Sequence, residues 1–268
     1  MGQPTLLLIG GGHMGGAMAR RWQAAGITGL QVVERDAARR AALEAAGITC
    51  HAALVDAPPA SLYVLAIKPQ QFAAFRDVLA AHIHASSPLL VSIMAGVPLA
   101  ALEATGLRAV RVMPNLPAAI GEGMSVACAP ALDAASRAEV SALLAALGAV
   151  AWVEEEVQLH AVTAISGSGP AYLFAFIEAL QQAAVAQGLT PELARQLVTQ
   201  TVKGAALLAS QSGDDAATLR AQVTSPGGTT QAALAVLMAG PWQACIAQAV
   251  EAAERRSQTL AHPAGSGE

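Results

Sequence analysis

Gly10-Gly11-Gly12-His13-Met14-Gly15 spells G-x-G-x-x-G directly after the apolar run Leu6-Leu7-Leu8-Ile9 and just before a helical stretch. A strand, a turn too tight for side chains and a helix with free amides together grip the pyrophosphate of a dinucleotide. Gly10 permits the turn, Gly12 lets the backbone reach the phosphates, and Gly15 lets helix and strand pack closely. Glu34 follows about 20 residues on, at the end of a second apolar run, where a carboxylate accepts the ribose 2′-hydroxyl of an unphosphorylated cofactor. Arg35 stands beside it, with Arg39 and Arg40 a turn further, and guanidinium groups there hold a 2′-phosphate bidentately. The two signals pull against each other. The expected resolution is that NADP(H) is preferred and NAD(H) possible, with Arg35 pairing with the phosphate while Glu34 turns to solvent. For Arg39 and Arg40 a solvated helix start explains the charges equally well.

Two further segments bring chemistry. Lysines are scarce, and Lys68 closes an apolar run in Ala66-Ile67-Lys68-Pro69. In an open α/β sheet ligands bind beyond the carboxyl ends of the strands, where Met94-Ala95-Gly96 and Met113-Pro114-Asn115 also arrive. The plainer alternative for Lys68 is an exposed lysine capping carbonyls. Ser225-Pro226-Gly227-Gly228-Thr229-Thr230 precedes the helical run Gln231 to Ala239 and offers glycine-freed amides to an anion. Its hydroxyls serve equally to cap that helix, and physics alone leaves both readings open.

The elements that must position these residues follow from periodicity. Short apolar runs alternate with alanine-rich helical stretches through the first half, the pattern of a parallel sheet covered by helices. Strands are expected at Thr5 to Ile9, Gln31 to Glu34, Leu62 to Ile67, Leu89 to Ile93 and Ala109 to Met113, with Ser125 to Ala129 and Ala149 to Val153 extending the same sheet. Beyond about residue 155 the strand signals stop. Pro170 opens a helix ending near Gly188, Thr190 caps a second reaching Ser212, a short one follows Asp214, another follows the Ser225 loop, and Pro241 opens the last, to Leu260. The expected fold is thus an α/β Rossmann-type domain with a mostly parallel sheet over residues 1–155, followed by an all-α domain over 156–268. Ala261 to Glu268, rich in Gly and Ser, is expected to fray.

Composition excludes several classes. Hydrophobic residues make up 54% and charged residues only 13%, so an apolar surface covered by another subunit is expected. A net charge of −4, without a Lys/Arg cluster longer than a pair, leaves no footprint for nucleic acid or an anionic membrane. Every apolar run is broken within about 18 residues, so no membrane span is expected. The first residues lack the pattern of an export signal, and Cys50, Cys128 and Cys245 have no paired or zinc-type spacing. A cytoplasmic protein without metal is the expectation.

Ser-Pro-Gly-Gly-Thr-Thr followed by Gln-Ala-Ala-Leu resembles the signature loop of pyrroline-5-carboxylate reductases. Ala66-Ile67-Lys68-Pro69, Val91 to Val97, Arg111-Val112-Met113-Pro114-Asn115, and Ala161-Val162-Thr163 through Ser166-Gly167-Ser168-Gly169-Pro170-Ala171-Tyr172 also resemble segments of that family, in the family's order. The resemblance implies reduction of 1-pyrroline-5-carboxylate to L-proline by NAD(P)H and a helical C-terminal domain that dimerises. It implies that Ile9, Gly10, Gly11, Gly12, His13, Met14 and Arg35 hold the dinucleotide. Ala66, Ile67, Lys68, Pro69, Met94, Ala95 and Gly96 would border it, and Gln222 would reach it from the helical domain. Gly228, Thr229 and Thr230 would bind the substrate, the Thr230 hydroxyl on its ring nitrogen. Glu156 matches an acidic residue near that site, although an acidic first helical turn at Glu154-Glu155-Glu156 has a sufficient electrostatic reason of its own. Gln222 and Glu34 both depart from the family's usual residues. Two other readings compete: a reductase of another small cyclic imine, and a non-catalytic NAD(P)-binding regulator, which would not need the Ser225 to Thr230 loop.

Overall fold

The computed structural model describes residues 6–83 and 88–261. Thr5, the expected start of the first strand, and residues 262–268 of the expected fraying tail lie outside them. The chain divides into two compact units, residues 1–168 with 252–268, and residues 169–251. The boundary expected at 155/156 thus falls between a strand and a helix that both belong to the first unit.

In the first unit, β1 (Leu6–Ile9), β2 (Leu30–Val33), β3 (Thr49–His51), β4 (Leu62–Leu65), β5 (Leu89–Ser92), β6 (Arg108–Met113), β7 (Gly123–Cys128) and β8 (Gly148–Val153) form one sheet in the order 3-2-1-4-5-6-7-8. Every pair is parallel except β6 with β7. The exception follows from chain length. Only a short turn, with Leu116–Ile120 as a 3₁₀ piece and Gly121 in the left-handed region (φ +80°), joins β6 to β7, and a parallel crossover needs a dozen residues or more. β3 is not among the expected strands: Thr49-Cys50-His51 has no apolar run, and it forms an edge beside β2, with His51 Nε2 hydrogen-bonded to Gln31 Oε1 at 2.6 Å.

Both faces of the sheet are covered, which is why β1 reads as an unbroken apolar run. Leu6 and Leu8 pack on one face with Met18 and Trp22 of α1 (His13–Ala24); Leu7 and Ile9 pack on the other with Phe72 and Leu79 of α3 (Phe72–His82). Trp22 is fully buried, and its indole N–H donates to the Leu143 carbonyl of α5 (Ala134–Ala145) at 2.9 Å. This satisfies the one polar atom of a large core residue. Two short helices, α2 (Ala37–Glu44) and α4 (Leu99–Glu103), fill other connections, and α6 (Gln158–Val162) runs into a π turn at Thr163–Gly167.

The second unit holds α7 (Gly169–Ala186), α8 (Pro191–Gln211), α9 (Ala216–Gln222), α10 (Thr229–Ala239) and the first half of α11 (Trp242–Ala261). Thr190 caps α8, its hydroxyl accepting from the Leu193 amide at 3.3 Å, with Pro191 in the first turn. From Ala252 onward α11 belongs to the sheet unit, where Ser257 Oγ is hydrogen-bonded to His160 Nδ1 at 2.9 Å. Among the described residues no single helix is long and apolar enough to cross a membrane; α10 and α11 match a span only jointly, and they are bent by 54°.

Candidate active site

The sheet order reverses direction at β1, which has β2 on one side and β4 on the other. A crevice opens there, beyond the strands' carboxyl ends, as doubly wound sheets require. It is a cavity of about 1130 Å³ lined from five strand ends, including Ile9 to Gly10, Glu34 to Arg35, Ala66 to Pro69, Met94 to Ala95 and Met113 to Pro114.

The glycine turn at its centre has the shape a pyrophosphate needs. Gly10 adopts φ +104°, and a Cβ there would come 2.6 Å from the Ala66 carbonyl oxygen, so the turn and β4 approach as closely as backbones can. A Cβ at Gly15 would overlap the Gly10 carbonyl. Gly12 differs: the nearest atom to a Cβ there is Arg39 Nη1 at 3.9 Å, leaving its outer side open. Gly12 also begins α1 with no side chain capping the helix, so the first amides of α1 remain available to an anion. The residues present therefore fit a dinucleotide.

Glu34 corrects an expectation. Rather than turning to solvent it is buried, 6% exposed, because both carboxylate oxygens hold backbone amides: Oε2 accepts from Gly11 at 2.8 Å and Oε1 from Asp36 at 2.9 Å. The three arginines that follow separate by function. Arg40 Nη1 donates to the carbonyls of Glu34 and Arg35, both at 2.9 Å, tying down the end of β2. Arg35 and Arg39 line the cavity instead. Asp36 caps α2, and the Arg39 backbone amide it accepts holds its carboxyl below the ordinary carboxylate range.

Not every expected residue lines the cavity. Gly11 lies behind the turn, its amide taken by Glu34. Gly96 adopts φ +77° and faces the end of α11, where a Cβ would come 2.7 Å from the Leu260 carbonyl oxygen. Glu156 braces the fold: its Oε1 accepts from Arg111 Nη1 at 2.7 Å and from the Leu99 amide at 2.8 Å, joining β6 to the start of α4. The dipole of α6 does not account for it, since that helix begins at Gln158 with no acidic residue in its first turn; the carboxylate sits instead at the first amide of α4. Asn115 is a positioning residue that its sequence context does not reveal. It is 8% exposed; its Oδ1 accepts from the Met124 amide and its Nδ2 donates to the Ser166 carbonyl, fixing the turn that carries Met113 and Pro114 to the cavity. Ala52 to Leu54 and Gln70 to Gln71 also line the cavity. They follow β3 and β4, and only the strand order, which the sequence does not spell, brings them there.

Residues 156–260 match the family model described as pyrroline-5-carboxylate reductase dimerisation, and residues 5–96 match one described as NADP oxidoreductase coenzyme F420-dependent. A pyrroline-5-carboxylate reductase of Pseudomonas aeruginosa is 38% identical, over 99% of this chain and 100% of its own. The chain belongs to the pyrroline-5-carboxylate reductase family. Among solved structures, the family's enzyme from Coxiella burnetii superposes with a TM-score of 0.90 at 33% identity, covering 97% of this chain and 99% of that one. A Plasmodium falciparum pyrroline carboxylate reductase, solved with NADP bound, superposes with a TM-score of 0.83 at 28% identity over 97% of this chain and 99% of that one.

In the second unit, the loop that resembles the signature of pyrroline-5-carboxylate reductases turns at Gly227 (φ +70°), whose amide donates to Gln231 Oε1 at 2.6 Å. Gly228 begins α10, and no side chain caps that helix. Among the described residues no loop hydroxyl is hydrogen-bonded to the first amides of α10. Gln222, at the end of α9, donates to Asp214 Oδ2 at 2.9 Å.

Proposed function

We propose that the chain reduces the C=N bond of 1-pyrroline-5-carboxylate to give L-proline, the last step of proline biosynthesis, with NADPH preferred and NADH usable. One observation carries the reading: an open glycine cradle for a pyrophosphate and an uncapped helix start at a Ser-Pro-Gly-Gly-Thr-Thr loop occur together in a chain 38% identical, end to end, to a reductase of that name. The bound dinucleotide supplies a hydride. What the chain must do is orient the reactants: a protonated imine is already electrophilic, so positioned hydrogen-bond donors suffice, without a covalent nucleophile. Ile9, Gly10, Gly12, His13 and Met14, with Arg35 and Ala66 to Pro69, hold the dinucleotide, and Met94 and Ala95 complete its surroundings. The amides of Gly228 to Thr230, at the start of an 11-residue helix, receive the substrate carboxylate. Hydride addition to the carbon of the protonated imine leaves a neutral secondary amine, and the lone pair that forms on its nitrogen accepts from the Thr230 hydroxyl. That bond strengthens along the reaction and so lowers the barrier.

Two functional regions, 1–155 for the dinucleotide and 156–268 for substrate and self-association, serve this scheme, and a homodimer or larger homo-oligomer is the working form. Three free cysteines suit a reducing, cytoplasmic compartment. The test is direct: purified protein, without added metal, should consume NADPH absorbance only when 1-pyrroline-5-carboxylate is present. Folded protein that turns over with neither NADPH nor NADH refutes the reading.

A further inference from the structure

The turn that follows β5 is supported from behind by the last turn of α11. Met94 and Ala95 line the crevice, and the next residue, Gly96, adopts φ +77° with the Leu260 carbonyl oxygen 2.7 Å from where a Cβ would lie. The Leu260 carbonyl carbon would be 3.1 Å away and the Ala261 nitrogen 3.4 Å, so the contact is backbone on backbone and no side-chain rotation relieves it. The end of α11 is fixed in its turn. Ser257 Oγ is hydrogen-bonded at 2.9 Å to Nδ1 of His160, a residue of α6 that is 8% exposed. Just before α6, Glu156 accepts the Leu99 amide at the start of α4. The β5 turn is thus held on its α4 side by Glu156, on its strand side by the Met94 amide donating to Ser92 Oγ at 3.3 Å, and from behind by α11.

We propose that the last turn of α11 is a positioning brace for hydride transfer, which acts through Gly96 to set Met94 and Ala95 against the nicotinamide half of the bound cofactor. The inference rests on the dinucleotide reading of the crevice. In that reading the adenosine ribose lies at the end of β2 and the pyrophosphate at the glycine turn after β1, so the nicotinamide half extends past β1 over the ends of β4, β5 and β6. Met94 and Ala95 are the contribution of β5. Neither side chain carries a strong hydrogen-bonding group, so they place a ring by shape, and an error in their backbone position passes directly to the ring. Hydride transfer tolerates little of this, since misplacement by about 1 Å costs on the order of a hundredfold in rate. Gly96 itself stands outside the cavity lining; its missing side chain serves the helix behind it.

The experiment compares the whole cofactor with its adenosine half. NADPH, NADH, ADP and 2′-phosphorylated ADP are titrated calorimetrically into wild type, Gly96→Ala, Leu260→Pro and the double variant, with kcat and KM for 1-pyrroline-5-carboxylate and melting temperatures alongside. In Gly96→Ala the added methyl group pushes the turn off Leu260, so NADPH and NADH should both weaken about tenfold and kcat should fall at least as far, while both adenosine fragments stay within about twofold of wild type. Leu260→Pro unwinds the last turn of α11, because the ring clashes with the Arg256 carbonyl and removes an N–H, and with Leu260 48% exposed little core is lost. The same selective loss is expected there, and this variant decides the matter if Gly96→Ala does not fold. Since both substitutions break one contact, the double variant should lose less than the product of the two single losses. Unchanged dinucleotide affinity and kcat in the folded variants, fragments weakened as much as NADPH, or single losses that simply multiply overturn the inference while leaving the dinucleotide site intact. A wild-type protein that binds neither NADPH nor ADP overturns the dinucleotide reading and the brace with it.

Discussion

Glu156 is the residue for which resemblance and geometry suggest different consequences, so its removal is informative. In Glu156→Ala, Arg111 loses a 2.7 Å ion pair while its side chain stays 8% exposed, and the Leu99 amide loses its 2.8 Å acceptor. A hydrogen bond between charged partners contributes about 1.5–3 kcal/mol, and a buried amide left unsatisfied costs about 1–3 kcal/mol. Glu156 itself is 29% exposed, so water replaces part of what it provided, and about 2–3 kcal/mol is the reasonable net loss. For a chain of this size that lowers the melting temperature by roughly 5–10 °C. Glu156→Gln keeps an acceptor for Leu99 but not the charge, and should lose less than half as much. The assay is calorimetric melting of both variants beside KM and kcat for the imine. Support for the fold predicts a lower melting temperature with a KM close to wild type. A wild-type melting temperature with a raised KM would show instead that Glu156 is a direct substrate contact, and the structural argument would be wrong.

Thr230→Val keeps the shape of the second residue of α10 and removes its hydroxyl; kcat/KM should fall roughly ten- to a hundredfold, the cost of leaving the nitrogen lone pair without its partner, with kcat carrying much of the loss. Unchanged kcat/KM in the folded variant leaves the backbone amides as the loop's only substrate contacts. The mass in solution at micromolar concentration, from light scattering or sedimentation, should be at least that of a dimer, and a monomer under those conditions contradicts the reading of the helical faces.

The sheet and its helices were legible because burial on both faces leaves a local trace. Leu6 to Ile9, Leu62 to Leu65 and Leu89 to Ser92 are short, mostly apolar runs, and Thr190-Pro191 marks a helix start by composition alone. β3 left no trace, since an edge strand of three partly exposed residues needs no apolar pattern. The reversed β7 was hidden for another reason: direction depends on the length of the connection, not on the strand's own residues. At the site, glycines were readable because their role is to lack a side chain. Glu34 and Glu156 were visible as acidic candidates, but neither their partners nor the part played by Asn115 were, because each acts through backbone groups of other segments, and a sequence shows a carboxylate or an amide but not the groups it will meet.

The helical unit explains the chain's low charge. α7, α10 and α11 have no buried residue, and α8 buries only Ala194 and Val198, yet Leu173, Phe174, Leu208 and Val236 are all more than half exposed. Removing apolar surface from water contributes roughly 25 cal/mol per Å², and helices this long fold in water chiefly through what their faces bury. One copy of the unit therefore lacks most of the core that would hold it. The match of residues 156–260 to a dimerisation family supports a homo-oligomer, and another copy is the cover these faces call for. The loop Ser225 to Thr230 lies within this unit, so if it receives the substrate's carboxylate as proposed, that site owes its rigidity to association. The proposed function thus makes self-association a condition of catalysis, whereas the glycine cradle is backed by its own two-faced sheet core.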